Sequence, residues 1–208
     1  MTKEFNIQEY KKELDALSST VLKAYFDSVM FLTIVKLATD KRKTSNFLFD
    51  YSYYSIRERA IISAKSIMEP ESKDKLTVAK TIKNLQQNDG YKQFADKIYK
   101  EYQELFKSEE AKRLKDFRDS LCHNIENSSE AMIYCDDLMT VVDGVMKILN
   151  KIYLHIFNEA NQDFYKIQFI VKTLADDYWG AICEQADKQP NRFNELTELQ
   201  RMLFCSKK

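Results

Sequence analysis

The sequence predicts an all-α protein, an up-and-down helical bundle with a C-terminal helical extension. Three observations lead there. The 208 residues hold only three glycines and two prolines, where average usage gives roughly 14 and 10. Hairpins, tight loops and phosphate cradles need these residues, so few such features fit. Apolar residues also recur at i, i+3, i+4 and i+7 along almost the whole chain. Finally, a chain of this length with 44% hydrophobic residues supplies one sizeable core and no more.

Each element follows from local signals. Leu14, Leu17, Val21, Tyr25, Ser28, Leu32 and Val35 mark one stripe of a long first helix over residues 7–39. The polar run 40–46 is a loop, with Ser45 or Asn46 as cap of a second helix over 47–68. That helix stops before Pro70, because the residue preceding a proline disfavours helical geometry. A short helix over 76–87 ends at Asn88-Asp89-Gly90, read as a glycine stop, and another spans 91–107. Ser108-Glu109-Glu110 opens the next helix with acids in its first turn, and this helix ends near Asn124. Asn127 and Glu130 resemble a capping box. They precede the strongest core helix, with Cys135, Leu138, Met139, Val142, Val145, Met146, Leu149, Ile152, Tyr153 and Ile156 on its apolar face. Helices over 163–188 and, after Pro190, 191–204 complete the chain. Residues 1–160 read as the bundle, and 161–208 as a C-terminal extension packed on the same domain.

Composition excludes several function classes. Gly90, Gly144 and Gly180 lie too far apart for Walker A or dinucleotide loops. Charge is balanced at 32 basic and 32 acidic residues, which excludes a polybasic nucleic-acid binder but leaves room for a local basic patch. Cys122, Cys135, Cys183 and Cys205 lack zinc-ligand spacing, and neither a metal nor another cofactor is expected. The first residues, MTKEFNIQEYKKEL, lack the apolar core of a signal peptide. The apolar stretch 21–38 carries Lys23, Asp27 and Lys36, so no membrane span is expected and the cytoplasm is the expected compartment. Tyr51, Tyr53 and Tyr54 offer either an RNA-stacking surface or ordinary packing.

Chemistry converges on one place. Of the two histidines, His155 sits in the core helix and reads as a partly buried structural residue. His123 has different neighbours, Arg118, Asp119 and Asn124. Asp119 and His123 are four apart on one helical face, so the carboxylate can hold a ring N–H. Arg118 lies about 140° around the helix and about 7.5 Å below His123, within reach of a long side chain leaning toward that end. Two copies across a two-fold axis would present two such pairs around a shared cleft. An imidazole can move the proton of a ribose 2′-OH or of the leaving oxygen, and a guanidinium can stabilise charge on the phosphorane. Lys112, Arg113 and Lys115 would position the phosphates, with Asn124, next to His123, as a further RNA contact. The blander reading has Asp119 paired with Lys115 and Arg118 solvated.

FRDSLCHN, with AIISAKSIMEPESKDKLTVAKTI upstream, resembles the signature of HEPN domains, most of all the branch related to abortive-infection protein U. The resemblance covers about residues 10–160. It implies a dimeric, metal-independent endoribonuclease of phage defence or a toxin system, with Arg118 and His123 catalytic and Asp119 supporting. RNA would be the substrate and an antitoxin or other defence protein a possible partner. Cys122 stands where this branch commonly has Ala, and Ile125 where related toxins carry a modified Tyr. Two other readings stay open, a non-catalytic helical module binding nucleotide, RNA or protein, and an antitoxin-like structural partner.

Overall fold

The computed structural model describes residues 5–41, 47–69, 76–123 and 135–188. Among them are seven helices and no strand: α1 (Ile7–Lys41), α2 (Phe47–Ile67), α3 (Val78–Gln86), α4 (Lys92–Phe106), α5 (Glu109–His123), α6 (Cys135–Phe157) and α7 (Gln162–Lys188). The fold is an all-α bundle, as the glycine scarcity and apolar periodicity predict. Candidate caps Ser45, Asn46, Asn127 and Glu130, and the predicted helix 191–204, lie outside the described residues.

Local chemistry sets the visible helix starts. Asn6 Oδ1 accepts from the backbone N–H groups of Gln8 and Glu9 at 3.0 and 3.1 Å, satisfying orphan donors of α1. Thr77 Oγ1 accepts from Lys80 N at 3.2 Å and caps α3. Ser108 Oγ does the same for Ala111 N on α5, at 3.2 Å. The end of α3 departs from the expected glycine stop. No described glycine has positive φ, the helix stops at Gln86, and Asn88 Oδ1 accepts from Gly90 N at 2.9 Å. An asparagine side-chain turn therefore ends this helix, which removes the need for a left-handed glycine.

The 35-residue α1, about 52 Å long at ideal rise, packs against α2, α6 and α7. Asp27 meets Arg59 and Ser63 while Phe31 meets Tyr53, so α2 runs antiparallel to α1. Ser18 bonds Asn161 and Met30 O accepts from Trp179 Nε1 at 2.9 Å, so α7 runs parallel to α1. On α6, Leu138, Val142, Val145, Leu149 and Ile152 are fully buried, which makes this helix the centre of the core. The α1 stripe holds from Leu14 to Ser28 and then shifts to Phe31 and Ile34, leaving Leu32 and Val35 half-buried. Both α2 and α7 pack on this end of α1, through Tyr53 on Phe31 and Trp179 on Met30 O. Val171, Ala175 and Trp179 seat α7 on the bundle.

No described helix is long and apolar enough to cross a membrane.

Candidate functional site

Burial of Ala111 and Leu114 holds α5 against α2 and α6 and fixes which of its residues face outward. The predicted site residues divide into groups with different fates. Arg118 Nε donates to Asp119 Oδ1 at 2.8 Å, and its Nη2 donates to the same oxygen. Adjacent helical residues point about 100° apart, so the guanidinium has swung around the helix to reach this carboxylate. The contact is with Asp119; the lean toward His123 inferred from spacing concerns a side chain outside the described residues. Arg118 is paired with Asp119 and is therefore not the solvated side chain of the blander reading. Two of the five guanidinium N–H groups serve Asp119.

Lys112 and Arg113 are engaged elsewhere. Lys112 Nζ donates to Glu109 at 2.6 Å on the open surface, and this ammonium holds the Glu109 carboxyl below the usual carboxylate range. Arg113 donates twice to Asp137 on α6, from Nε at 2.9 Å and Nη2 at 2.6 Å. Its position at the α5–α6 contact makes it a fastener between helices. His123 closes α5, but its side chain lies outside the described residues, as do Ser120, Leu121, Cys122 and the whole of Asn124.

Two cations on α2 join this face and were missed from sequence. Lys65 is only 7% exposed and its Nζ lies 5.1 Å from the Phe106 ring centre. Burial first, then the positive fields of Arg118 and Lys115, push its pKa down; Asp119 and Glu69 pull in the opposite direction. Arg57 lies 5.2 Å from the rings of both Tyr54 and Phe117, and 6.0 Å from Tyr53. Its Nε is buried and has no hydrogen-bond partner among the described residues. Residues 57 and 65 fall within about 80° of each other on a helical wheel, a signal that becomes meaningful only when α5 is known to be the neighbour. Tyr53 is half-buried against Phe31, whereas Tyr54 is exposed, so packing accounts for the first and leaves the second on the surface.

The resulting face is a ridge along α2 and α5. It carries Lys115 and Arg118, with Lys65 beneath and the carboxylates of Asp119 and Glu69 within its field. A ridge of this kind can attract polyanions locally in a chain of zero net charge.

His155 corrects its expected burial. It is exposed, and its ring stacks on Phe94 with centres 3.8 Å apart and planes inclined by 14°, an aromatic contact on the α4–α6 surface. A polar cleft of about 600 Å³ lies where α1 meets the α6–α7 turn, lined among others by Asp15, Ser18, Tyr153 and Asn161. These groups bond one another: Tyr153 donates to Asp15, Asn161 Nδ2 donates to Ser18 Oγ, and Ser18 Oγ donates to Leu14 O. Asn158, with φ of 53°, sits in the left-handed position that commonly follows a helix end. The cluster fastens the turn to α1. No protein-family model, curated protein or solved structure matches the chain.

Proposed function

We propose that this chain is a metal-independent endoribonuclease of HEPN type, acting as a homodimer in phage defence or a toxin system. The observation that supports this reading is the Arg118–Asp119 pair, one turn before the end of α5 at His123, on a ridge shared with Lys115 and Lys65. Lys115 and Lys65 would draw the RNA phosphates, and Arg118 keeps further N–H donors for the phosphorane oxygens. The 2′-oxygen forms a bond to the adjacent phosphorus while the bond to the 5′-oxygen breaks. One His123 imidazole takes the 2′-OH proton, and the imidazolium of the other copy protonates the leaving oxygen. The products are a 2′,3′-cyclic phosphate and a free 5′-OH, so DNA, lacking the 2′-OH, is not cut.

A second reading draws on the same pair. A guanidinium already neutralised by Asp119 suits a module that binds RNA or nucleotide without turnover. Purified protein incubated with single-stranded RNA in EDTA separates the two. The ribonuclease reading expects cyclic-phosphate ends that vanish in His123→Ala. RNA binding with no product under any condition supports the binding module, and cleavage retained in His123→Ala sinks the proposed mechanism.

A further inference from the structure

Arg57 has a setting unlike that of the neighbouring arginines. Arg59 on α2, and Arg113 and Arg118 on α5, each hold a carboxylate, from Asp27, Asp137 and Asp119. The Arg57 guanidinium lies among rings instead, 5.2 Å from Tyr54 and Phe117 and 6.0 Å from Tyr53. Its Nε is buried and finds no hydrogen-bond partner among the described residues. Cation–π attraction draws on the charge and leaves N–H donors for an acceptor. Beside it, Tyr54 is 51% exposed and set edge-on to Tyr53, which in turn packs on Phe31. A ring braced from behind, with open area next to a cation, suits a nucleotide: the base takes the ring and a phosphate takes the guanidinium.

Its place in the fold ties this cluster to the ridge. Lys65 lies over the ring of Phe106, ahead of the start of α5, whereas Arg57 lies over Phe117, well along that helix. The two helices are therefore antiparallel, and the Tyr54 end of α2 lies toward the His123 end of α5. Arg57 and Lys65 are eight residues apart on α2, about 12 Å at ideal rise. We propose that Tyr54 and Arg57 form a nucleotide subsite, in which a base of single-stranded RNA stacks on the Tyr54 ring while Arg57 holds an adjoining phosphate. With RNA as the ligand of the ridge, on which this subsite depends, the strand runs from Lys65 and Arg118 to the rings beside the last turns of α5. Every base has a π-face, so stacking here positions the strand without reading its sequence.

A single-stranded oligoribonucleotide methylated at every 2′-oxygen stays uncut and reports binding alone. With the fluorescent adenine analogue 2-aminopurine placed among uridines, stacking on Tyr54 is expected to quench its emission when the strand is saturated with protein. Tyr54→Leu keeps apolar bulk without a π-face, and at half exposure the change does not open the core. It should lose the quenching and about fivefold or more in affinity at constant salt, whereas Tyr54→Phe keeps both. Arg57→Met should weaken binding and lower the salt slope by about 0.7. Quenching and affinity unchanged in Tyr54→Leu overturn the subsite and leave RNA on the ridge. A loss as great in Tyr54→Phe assigns the contact to the hydroxyl and overturns stacking, and parent-like salt dependence in Arg57→Met overturns the phosphate contact. No binding by the parent overturns the subsite together with the RNA reading. Quenching that depends on Tyr54, without cleavage of the unmethylated strand, supports the subsite and counts against the nuclease reading alone.

Discussion

Arg113 grips the Asp137 carboxylate with two hydrogen bonds, Nε to Oδ2 at 2.9 Å and Nη2 to Oδ1 at 2.6 Å, joining α5 to α6. The carboxylate is 3% exposed and the guanidinium 36%, so removing the arginine takes two charge-assisted hydrogen bonds from a buried carboxylate. Arg113→Ala is expected to cost about 2–3 kcal/mol, somewhat less than a fully buried pair because one partner is half solvated. Urea unfolding checks this, and Arg113→Met with Asp137→Leu should recover most of the loss. Wild-type stability in Arg113→Ala would return this residue to the RNA-contacting group.

Lys65 ties stability to the proposed function in opposite directions. Its folded pKa is lowered by burial and by Arg118 and Lys115. The unfolded chain therefore binds more protons between the folded and the ordinary lysine pKa, and stability rises with pH across that window. Below the folded pKa the whole penalty is present. Lys65→Met is expected to gain about 1 kcal/mol at neutral pH, with the advantage narrowing as pH approaches 10.5. If the ridge binds RNA, the same variant loses affinity and its salt slope drops by about 1. A variant less stable at neutral pH, or one whose advantage widens on alkalinisation, contradicts the account of Lys65.

These charges also mark where sequence reading stops. The periodic residues of α6, Leu138 to Ile152, are buried as a 3.6-residue repeat requires, since one face must meet the core. Gly90 was misread because Asn88 does locally what a left-handed glycine does elsewhere. Arg113 looked like a phosphate contact because nothing local distinguishes it from Lys112 or Lys115; its partner Asp137 is 24 residues away. Arg57 and Lys65 were invisible as site residues for the same reason, since only tertiary pairing of α2 with α5 sets them beside Phe117 and Arg118. Spacing aims Asp119 at His123 or Lys115 and does not announce its pairing with Arg118, because adjacent helical residues point about 100° apart.

Gly144 lets α6 approach α4 closely. A Cβ there would lie 2.7 and 2.8 Å from the two Leu105 methyls, far ends of a half-buried side chain that can swing aside. Alanine also gains about 1 kcal/mol of helix propensity over glycine, which offsets the repacking. Gly144→Ala should therefore lie within about 1 kcal/mol of the parent, and Gly144→Val should cost about 1–3 kcal/mol. Thermal or urea unfolding decides. A severe loss with alanine would show that Leu105 has nowhere to move.

Trp179, the sole tryptophan, is fully buried and its Nε1 donates to Met30 O at 2.9 Å, pinning α7 to α1. Trp179→Phe is expected to cost about 1–2 kcal/mol and Trp179→Ala about 3–5 kcal/mol. Because no other tryptophan contributes, its emission reports docking of α7 directly. In the parent that emission should be blue-shifted and should redden in one step with the loss of far-ultraviolet helicity. Reddening well before helicity falls would mean that α7 detaches as a separate unit.

Asp119 offers the sharpest separation of binding from turnover. Its carboxylate neutralises Arg118 and sits beside Lys65 in a ridge that must attract phosphates if RNA binds there. Asp119→Asn removes one negative charge, which favours the polyanion, so RNA affinity at low salt should rise about threefold to tenfold with a steeper salt dependence. Turnover should move the other way. An asparagine cannot stabilise an imidazolium or restrain the guanidinium as a carboxylate does, and cleavage should drop about tenfold or more. Affinity by fluorescence anisotropy and cleavage under single-turnover conditions give the two readouts. Tighter binding with slower cleavage supports Asp119 as a positioning residue of a catalytic ridge. Tighter binding with no cleavage in either protein supports the binding module, and unchanged affinity removes RNA from this face altogether.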